Sequence, residues 1–296
     1  MKHKIALIGS QMDLGAFRKG VDMGPLAIRH TELLPKLRRL GYDIVDYGDI
    51  VPLIANNEGN PKLRNEREIN NANFRLYSQI GSIFQDDRMP IVLGGDHSIA
   101  IGSISASLTH YEKIGIIWVD AHTDFNDEQI TPSGNIHGMP LSVVCGYGPE
   151  SLITYCSNRA LISNVVIIGA RSIDPLEKLK LKDKKVTVYS ISDVHNEGIH
   201  KIIQKAIEIA SNGTNGIHLS FDMDAIDPIY APGVGTPVVN GLTQREAFIL
   251  CEEIHKSKKL IAMDVVETNP LLDNQNMTGI LASELILTCL GTSMYK

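Results

Sequence analysis

The stretch GIIWVDAHTD (residues 115–124) joins a short apolar run to a cluster of ionisable residues. The run 115–119 shows no alternation with polar residues, which is typical of a strand covered on both faces of a parallel sheet. Residues two apart in an extended chain project to one side, so Asp120, His122 and Asp124 can converge on one point. Burying such groups unpaired costs several kcal/mol or more, and bound cations would offset that cost.

Similar apolar runs recur along the chain and alternate with amphipathic stretches. We predict strands at 5–9, 44–47, 91–93, 115–119, 165–169, 186–189, 216–221 and 260–266. We predict helices at 25–40, 67–85, 98–111, 198–211, 243–257 and 277–290, the fifth beginning with a capping box from Thr243 to Glu246.

This alternation indicates right-handed βαβ units and an α/β fold, which we expect to form one domain over residues 1–296. The pattern leaves two architectures open, an eight-stranded open sheet and a (β/α)₈ barrel. In both of them ligands bind at the carboxyl ends of the strands.

Composition narrows the class of partner. The chain has 296 residues, of which 43% are apolar, and a net charge of −6, which argues against nucleic acid or an anionic membrane. The four cysteines show no metal-binding spacing and are expected to be buried thiols of a reducing compartment. No apolar run approaches the length of a membrane span, and the N-terminal run is too short for a signal peptide. We therefore expect a cytoplasmic protein.

Ionisable residues collect after four of the predicted strands. A DxD pair alone more often caps a turn, and a GGDH stretch alone is more often a glycine-rich turn, but DxHxD after a buried strand favours a metal site. Taken together, the clusters favour a metal site over a purely structural role as caps and turns. Asp127 and Asp227 are expected to be solvated loop or cap acids. The clusters are GGDH (94–97), DAHTD (120–124), DMD (222–224) and Glu267.

Four carboxylates and two imidazoles without a thiolate suit hard or borderline divalent cations. The set exceeds the needs of one ion, and a pair of ions about 3.5–4 Å apart would use all six groups. Four aspartates balance two divalent ions, so Glu267 and a bound hydroxide would leave surplus negative charge. A cationic substrate such as a guanidinium is therefore favoured over a phosphate.

Several stretches resemble the signature regions of the ureohydrolases, dinuclear manganese enzymes that release urea from guanidinium groups. These are GGDH (94–97), DAHTD (120–124) and SFDMDAIDP (220–228). Within the family, SGNIHG (133–138), GVGTP (233–237) and GARSID (169–174) resemble the arginase branch more than the agmatinase branch. The resemblance implies a three-layer α/β/α sandwich over an eight-stranded, mostly parallel sheet, and hydrolysis of L-arginine to L-ornithine and urea.

Carried over position by position, the resemblance implies two manganese ions per subunit. A hydroxide bridging them would attack the guanidinium carbon and would be oriented by Asp124. Glu267 would pair with the guanidinium, and His137 would move protons between solvent, the metal site and the leaving amine. The implied ligands are His97, Asp120, Asp124 and Asp222 for one ion, and Asp120, His122, Asp222 and Asp224 for the other.

The resemblance also implies which residues bind the amino-acid end of the substrate. Asn126, Ser133 and Asn135 match positions that receive the α-carboxylate, and Asp174 matches the acid that faces the α-amino group. The resemblance further matches Thr236 to a substrate contact and Glu177 to an acid near the amino group.

Some positions depart from the family pattern. Phe125 stands where a smaller aliphatic residue is usual, and we expect its ring to point away from Asp124 and Asn126. Asn240, Gln244 and Thr268 also depart from the pattern. The first two lie in a region that shapes subunit contacts in relatives, which form homo-oligomers, and we expect a hexamer or trimer here.

Three other functions compete with this interpretation. Another ureohydrolase (an agmatinase, guanidinobutyrase or formimidoylglutamase) would not need both the carboxylate-binding loop and Asp174. A non-catalytic sensor of a cationic amino acid would be expected to lack a metal ligand or His137, and the sequence retains all of them. A deacetylase on a related fold would use a single zinc ion and fewer carboxylates.

Overall fold

The structure, a computed structural model, describes residues 4–55, 59–152 and 155–292. Its centre is one eight-stranded sheet whose strands we number β1 to β8 along the chain. The strands are β1 Lys4–Ser10, β2 Asp43–Ile50, β3 Met89–Leu93, β4 Gly115–Val119, β5 Val165–Ala170, β6 Thr187–Ser190, β7 Ile217–Asp222 and β8 Leu260–Val266.

The strands lie in the order β2-β1-β3-β8-β7-β4-β5-β6, and every neighbouring pair is parallel. All eight strand predictions are confirmed, and the open sheet excludes the barrel. A separate hairpin pairs Gly59–Asn60 with Leu63–Arg64. The central neighbours β3, β8, β7 and β4 are the four strands that the ionisable clusters follow, so their carboxyl ends share one edge of the sheet.

Helices cover both faces of the sheet. Within the described ranges, no helix is both long enough and apolar enough to cross a membrane. The helices are α1 Gly24–Arg29, α2 Leu33–Arg39, α3 Glu66–Gln85, α4 Ala100–His110, α5 Pro140–Val144, α6 Pro175–Lys184, α7 Ile191–Glu197, α8 Ile199–Ser211, α9 Gln244–Ser257 and α10 Met277–Cys289.

Alternate residues of the central strands enter two different cores, which explains why their runs show no polar alternation. In β4, Ile117 and Val119 pack with α1, α2 and α7 to α10, whereas Ile116 and Trp118 face α4 and α5. The remaining core lies between the sheet and α3. All of these side chains are fully buried. The predicted three-layer α/β/α sandwich is therefore confirmed.

The helix predictions need two corrections. The stretch predicted at 25–40 is two helices, because Glu32 takes a left-handed φ of 62° between them. Helices α5, α6 and α7 were not predicted, since α5 has only 5 residues and the others carry little apolar periodicity. The capping box of α9 is confirmed, because Thr243 Oγ1 accepts a hydrogen bond from the N–H of Glu246, whose carboxylate accepts one from the N–H of Thr243.

Candidate metal centre and substrate site

The first half of the candidate metal centre surrounds one ring nitrogen of His97. Its Nδ1 lies 3.2 Å from Oδ2 of Asp120, 3.2 Å from Oδ2 of Asp124 and 3.1 Å from Oδ2 of Asp222. The atom is buried and has no hydrogen-bond partner. A nitrogen lone pair facing three carboxylate oxygens is a donor set that fits a divalent cation.

Two neighbours hold the His97 ring in this orientation. Its Nε2 lies 2.9 Å from Oγ of Ser220, which leaves Nδ1 free to face the carboxylates. The ring stacks on the indole of Trp118 with 3.9 Å between centroids. The indole N–H in turn donates to Oδ2 of Asp120. Such outer contacts fix the tautomer and direction of a metal-binding histidine.

The second half of the centre surrounds His122. Its Nδ1 lies 3.3 Å from Oδ1 of Asp120 and 3.2 Å from Oδ2 of Asp224. Asp120 therefore directs one oxygen to each half, as a bridging carboxylate requires. Asp222 has its Oδ2 in the first half, and its Oδ1 accepts the N–H of Asp224. The centre therefore contains two sets of residues that could each hold an ion. The first is His97, Asp120 and Asp222, and the second is Asp120, His122 and Asp224.

The electrostatics of the cluster favour bound positive charge. Burial alone would lower the pKa of His97, but the carboxylates of Asp120, Asp124 and Asp222 raise it well above its ordinary value. Burial and the charge of Asp120 raise the pKa of Asp124 to about 7. Burial and the neighbouring aspartates raise the pKa of Asp222 well above its ordinary range. Burial first, and then the charge of neighbouring carboxylates, disfavour the ionised forms of Asp124 and Asp222, and bound cations would offset both effects.

Glu267 lies beside this cluster with one carboxylate oxygen already bonded. Its Oε1 accepts the backbone N–H of His97 at 3.0 Å and lies 3.1 Å from Nδ1 of His137. Its Oε2 is buried and has no partner, and a Cβ at Gly235 would lie only 3.1 Å from it. A buried carboxylate oxygen without a donor is suited to receive one from a cationic ligand.

The surroundings of His137 favour its protonated form. Burial acts to lower its pKa, but the hydrogen bond and the charge of Glu267 raise that pKa to about 9. Asp96 and Asp124 add to the rise. The side chain is 18% exposed, so it connects the buried carboxylate with solvent.

The predicted substrate residues lie in three places: the loop after β4, the start of α6 and the loop after β7. Asn126 Nδ2 donates to Oδ2 of Asp174 at 3.1 Å, and Glu177 completes a capping box with Asp174. Thr236 donates to Oδ2 of Asp224 at 2.8 Å, which places it against the metal centre. Ser133 is exposed, and its Oγ accepts the N–H of Asn135 at 3.2 Å.

The structure corrects the prediction for Asp127, which makes a contact that the sequence did not reveal. Asp127 is not a solvated acid: Lys180 Nζ lies 2.7 Å from its Oδ2, and the Asp127 side chain is 16% exposed. Phe125 is fully buried and packs in a core with Trp118 and Leu141, as its alternation predicts. Asp227 is a cap acid, since its carboxylate accepts backbone N–H groups.

Arg171 is a second residue that sequence reasoning left without a role. Its half-buried guanidinium donates only to backbone carbonyls, which ties the loops after β5 and β7 to the loop around residue 238. Arg171 belongs to the motif GARSID (169–174), but the sequence does not show which backbone carbonyls its side chain reaches. The carbonyls belong to Gly169, Asp224, Ala225, Val238 and Val239.

Comparison with known proteins agrees with this geometry. The chain matches the arginase family over residues 3–291. It is 42% identical to the arginase of Bacillus subtilis (strain 168) over 302 residues, which cover 99% of this chain and 100% of that protein. The arginase structure from Bacillus caldovelox matches with a TM-score of 0.95 at 41% identity, covering 99% of this chain and 100% of that one.

An arginase from Entamoeba histolytica, solved in complex with L-ornithine, matches with a TM-score of 0.91 at 31% identity, covering 99% of this chain and 100% of that one. The family match, together with the paired His–Asp groups at the strand ends, identifies the protein as a metal-dependent hydrolase. The chain belongs to the arginase family.

Proposed function

We propose that the protein is an arginase that hydrolyses L-arginine to L-ornithine and urea with two manganese ions per subunit. The observation that carries this proposal is the unpartnered, buried Oε2 of Glu267 beside two His–Asp groups that share Asp120. The oxygen-rich donor set suits manganese. When bound, the two ions would supply Lewis-acid chemistry and lower the pKa of water.

We assign the ligands as the sequence resemblance implies: His97, Asp120, Asp124 and Asp222 for one ion, and Asp120, His122, Asp222 and Asp224 for the other. Support comes from the two oxygens of Asp120, which face His97 and His122 respectively. Asp222 would contribute to both ions, since its Oδ2 lies 3.1 Å from Nδ1 of His97 and its Oδ1 accepts the backbone N–H of Asp224.

At the reacting end of the substrate, Glu267 would accept a guanidinium N–H at Oε2 and so orient the planar group towards the metal centre. His137, held by Oε1 of the same carboxylate, would donate a proton to the leaving amine. The raised pKa of His137, about 9, keeps this proton available at neutral pH. Asp124 would orient the attacking water through its carboxylate.

At the amino-acid end, Asn126, Ser133 and Asn135 would bind the α-carboxylate, and Asp174 would face the α-ammonium. Glu177 would add negative charge behind Asp174, and Thr236 would contact the substrate beside Asp224. The hydrogen bond between Asn126 and Asp174 supports this assignment, because it places a carboxylate-binding amide next to an ammonium-binding acid.

We further propose that residues 1–296 act as one domain in the cytoplasm, with a small molecule and copies of the same chain as partners. The cysteines support a reducing compartment, since all four are free and buried. We propose a homo-oligomer, a hexamer or trimer, as the sequence resemblance implies.

A urea-release assay on a panel of guanidines tests the substrate. After loading with Mn²⁺, the purified protein should release urea from L-arginine and form L-ornithine in equal amount. Release from agmatine or guanidinobutyrate but not from arginine would instead assign another ureohydrolase. Binding of arginine without release of urea would point to a sensor.

A further inference from the structure

One face of α6 lies along the loop that carries the carboxylate-binding residues. Asp174 and Glu177, spaced three residues apart, face the same side of the helix start. Asp174 accepts from Nδ2 of Asn126, and Glu177 Oε1 accepts the backbone N–H of Phe125 at 2.7 Å. Two consecutive loop residues are thus each held by one acid of the helix.

Lys180 continues this face three residues further on and holds the next loop residue. Its ammonium lies 2.7 Å from Oδ2 of Asp127, 2.7 Å from Oγ of Ser142 and 3.0 Å from the carbonyl oxygen of Tyr147. It also lies 5.2 Å from the centroid of the Phe125 ring. Since an ammonium has three N–H donors, every donor of Lys180 has an acceptor.

Asp127 transmits this contact along the loop. Its Oδ1 accepts the N–H groups of Gln129 and Ile130 at 2.9 and 3.1 Å, and its carbonyl oxygen accepts that of Thr131. Thr131 Oγ1 in turn accepts the N–H of Gly134 at 3.0 Å. A continuous chain of hydrogen bonds therefore runs from Lys180 to the turn between Ser133 and Asn135.

We propose that Lys180 is a positioning residue for substrate specificity: through Asp127 it holds the loop so that Asn126, Ser133 and Asn135 can bind an α-carboxylate. This inference rests on the proposed arginase function. Lys180 makes its contacts with the loop and its flanks, so it acts through residues that would bind the substrate. A loop held in place before binding loses less conformational entropy when the carboxylate arrives.

The contact should affect binding of the amino-acid end and leave the reaction at the guanidinium largely unchanged. The reacting end is positioned by Glu267 and the metal centre, which Lys180 does not touch. Loss of an interaction that contributes equally to ground state and transition state raises KM without lowering kcat. Agmatine, which lacks the α-carboxylate, should not depend on this loop.

The test compares Lys180→Met, Lys180→Arg and the control Lys178→Met in the full-length, manganese-loaded protein. Lys178 lies on the same helix and is exposed. Lys180→Met should raise the KM for L-arginine about tenfold with kcat within about twofold, as expected for a lost charged hydrogen bond. Its kcat/KM for agmatine should not change, Lys180→Arg should recover part of the loss, and Lys178→Met should match wild type.

A second variant and a second readout make the outcome decisive. Asp127→Asn should also raise the KM for L-arginine, and the double variant should be no worse than Lys180→Met alone, because Lys180→Met already removes the contact with Asp127. Amide hydrogen exchange of residues 125–135 should speed up in Lys180→Met and not in Lys178→Met.

Each negative result has its own meaning. If the wild type cleaves arginine but Lys180→Met leaves both KM and loop exchange unchanged, the inference is overturned and the proposed function stands. An equal loss on arginine and agmatine would also overturn it, since it would indicate general damage. If the wild type does not cleave arginine, the proposed function fails, and loop exchange still decides whether Lys180 holds the loop.

Discussion

Oε1 of Glu267 lies 3.1 Å from Nδ1 of His137, and this contact joins the buried carboxylate beside the candidate metal centre to an imidazole whose side chain is 18% exposed. Glu267 takes a left-handed φ of 63°, and Asp124 one of 48°. Such conformations cost about 1–3 kcal/mol each and cluster at functional sites. We propose that Glu267 and His137 act together at the reacting end of the substrate, and their contact supports this proposal.

Replacing Glu267 with Gln should abolish most activity without unfolding the protein. The amide oxygen can still accept from His97 and His137, but the negative charge for the guanidinium is lost. We expect kcat/KM for L-arginine to fall at least about 100-fold. Unfolding temperature and metal content should stay near those of wild type, because Glu267 belongs to neither proposed ligand set. Unchanged kcat/KM would rule out its proposed role.

The alkaline limb of the pH profile should report on His137. Because its pKa is about 9, the imidazolium is present below that pH, and kcat should fall as pH rises through about 9. In His137→Asn, kcat near pH 8 should drop about 10²- to 10⁴-fold and the alkaline fall should vanish. An alkaline limb that persists in the variant would assign it to another group.

The same shift predicts a pH dependence of stability. The folded pKa of His137 is raised above its ordinary 6.5, so the paired imidazolium stabilises the fold fully below pH 6.5, and this contribution is lost as pH rises through about 9. The difference in unfolding temperature between wild type and His137→Asn should therefore shrink between about pH 6 and pH 10. A difference that grows over this range would contradict the assignment.

Ser220 should control metal affinity although it is not a proposed ligand. Its Oγ is the partner of Nε2 in His97, and Ser220→Ala would leave that buried nitrogen unsatisfied. We expect metal affinity to fall about 10- to 100-fold. Competition with a chelator measures this, and Ser257→Ala, which changes a hydroxyl far along the chain in α9, provides the control. Equal affinities in the two variants would count against the orienting role.

Replacing Arg171 should lower the free energy of unfolding more than replacing most other charged residues. Arg171→Met would leave several backbone carbonyls without a donor, and we expect the free energy of unfolding to fall by about 2–4 kcal/mol. Lys205→Met, which removes a surface pair with Glu197 and a distant contact with the ring of Tyr189, should have little effect. Thermal unfolding of the metal-free proteins separates fold stability from metal binding, and equal transitions would refute the prediction.

The strands and the metal cluster could be predicted from the sequence for one shared reason. Apolar runs covered on both faces are recognisable by composition, and ionisable residues placed directly after them stand out. The sequence does not specify that β3, β8, β7 and β4 are neighbours, and this order brings His97, Asp120 and Asp222 together. The family resemblance implies that these three residues meet, because it matches them to the ligands of one metal ion.

What was missed depended on contacts between distant residues. Helix α6 has a capping signal in Asp174, Pro175 and Glu177, but its exposed Leu176 and Leu179 give no apolar stripe. The sequence predicts a solvated acid at Asp127 because its partner Lys180 lies 53 positions further along the chain. No local pattern predicts such a pair.

Elemental analysis of the purified, active protein tests the central claim most directly. A site in which Asp120 serves both His97 and His122 predicts two manganese ions per chain, with urea release from L-arginine lost on chelation and restored by Mn²⁺. A fully active protein that contains a single zinc ion per chain would contradict the dinuclear centre and the mechanism built on it.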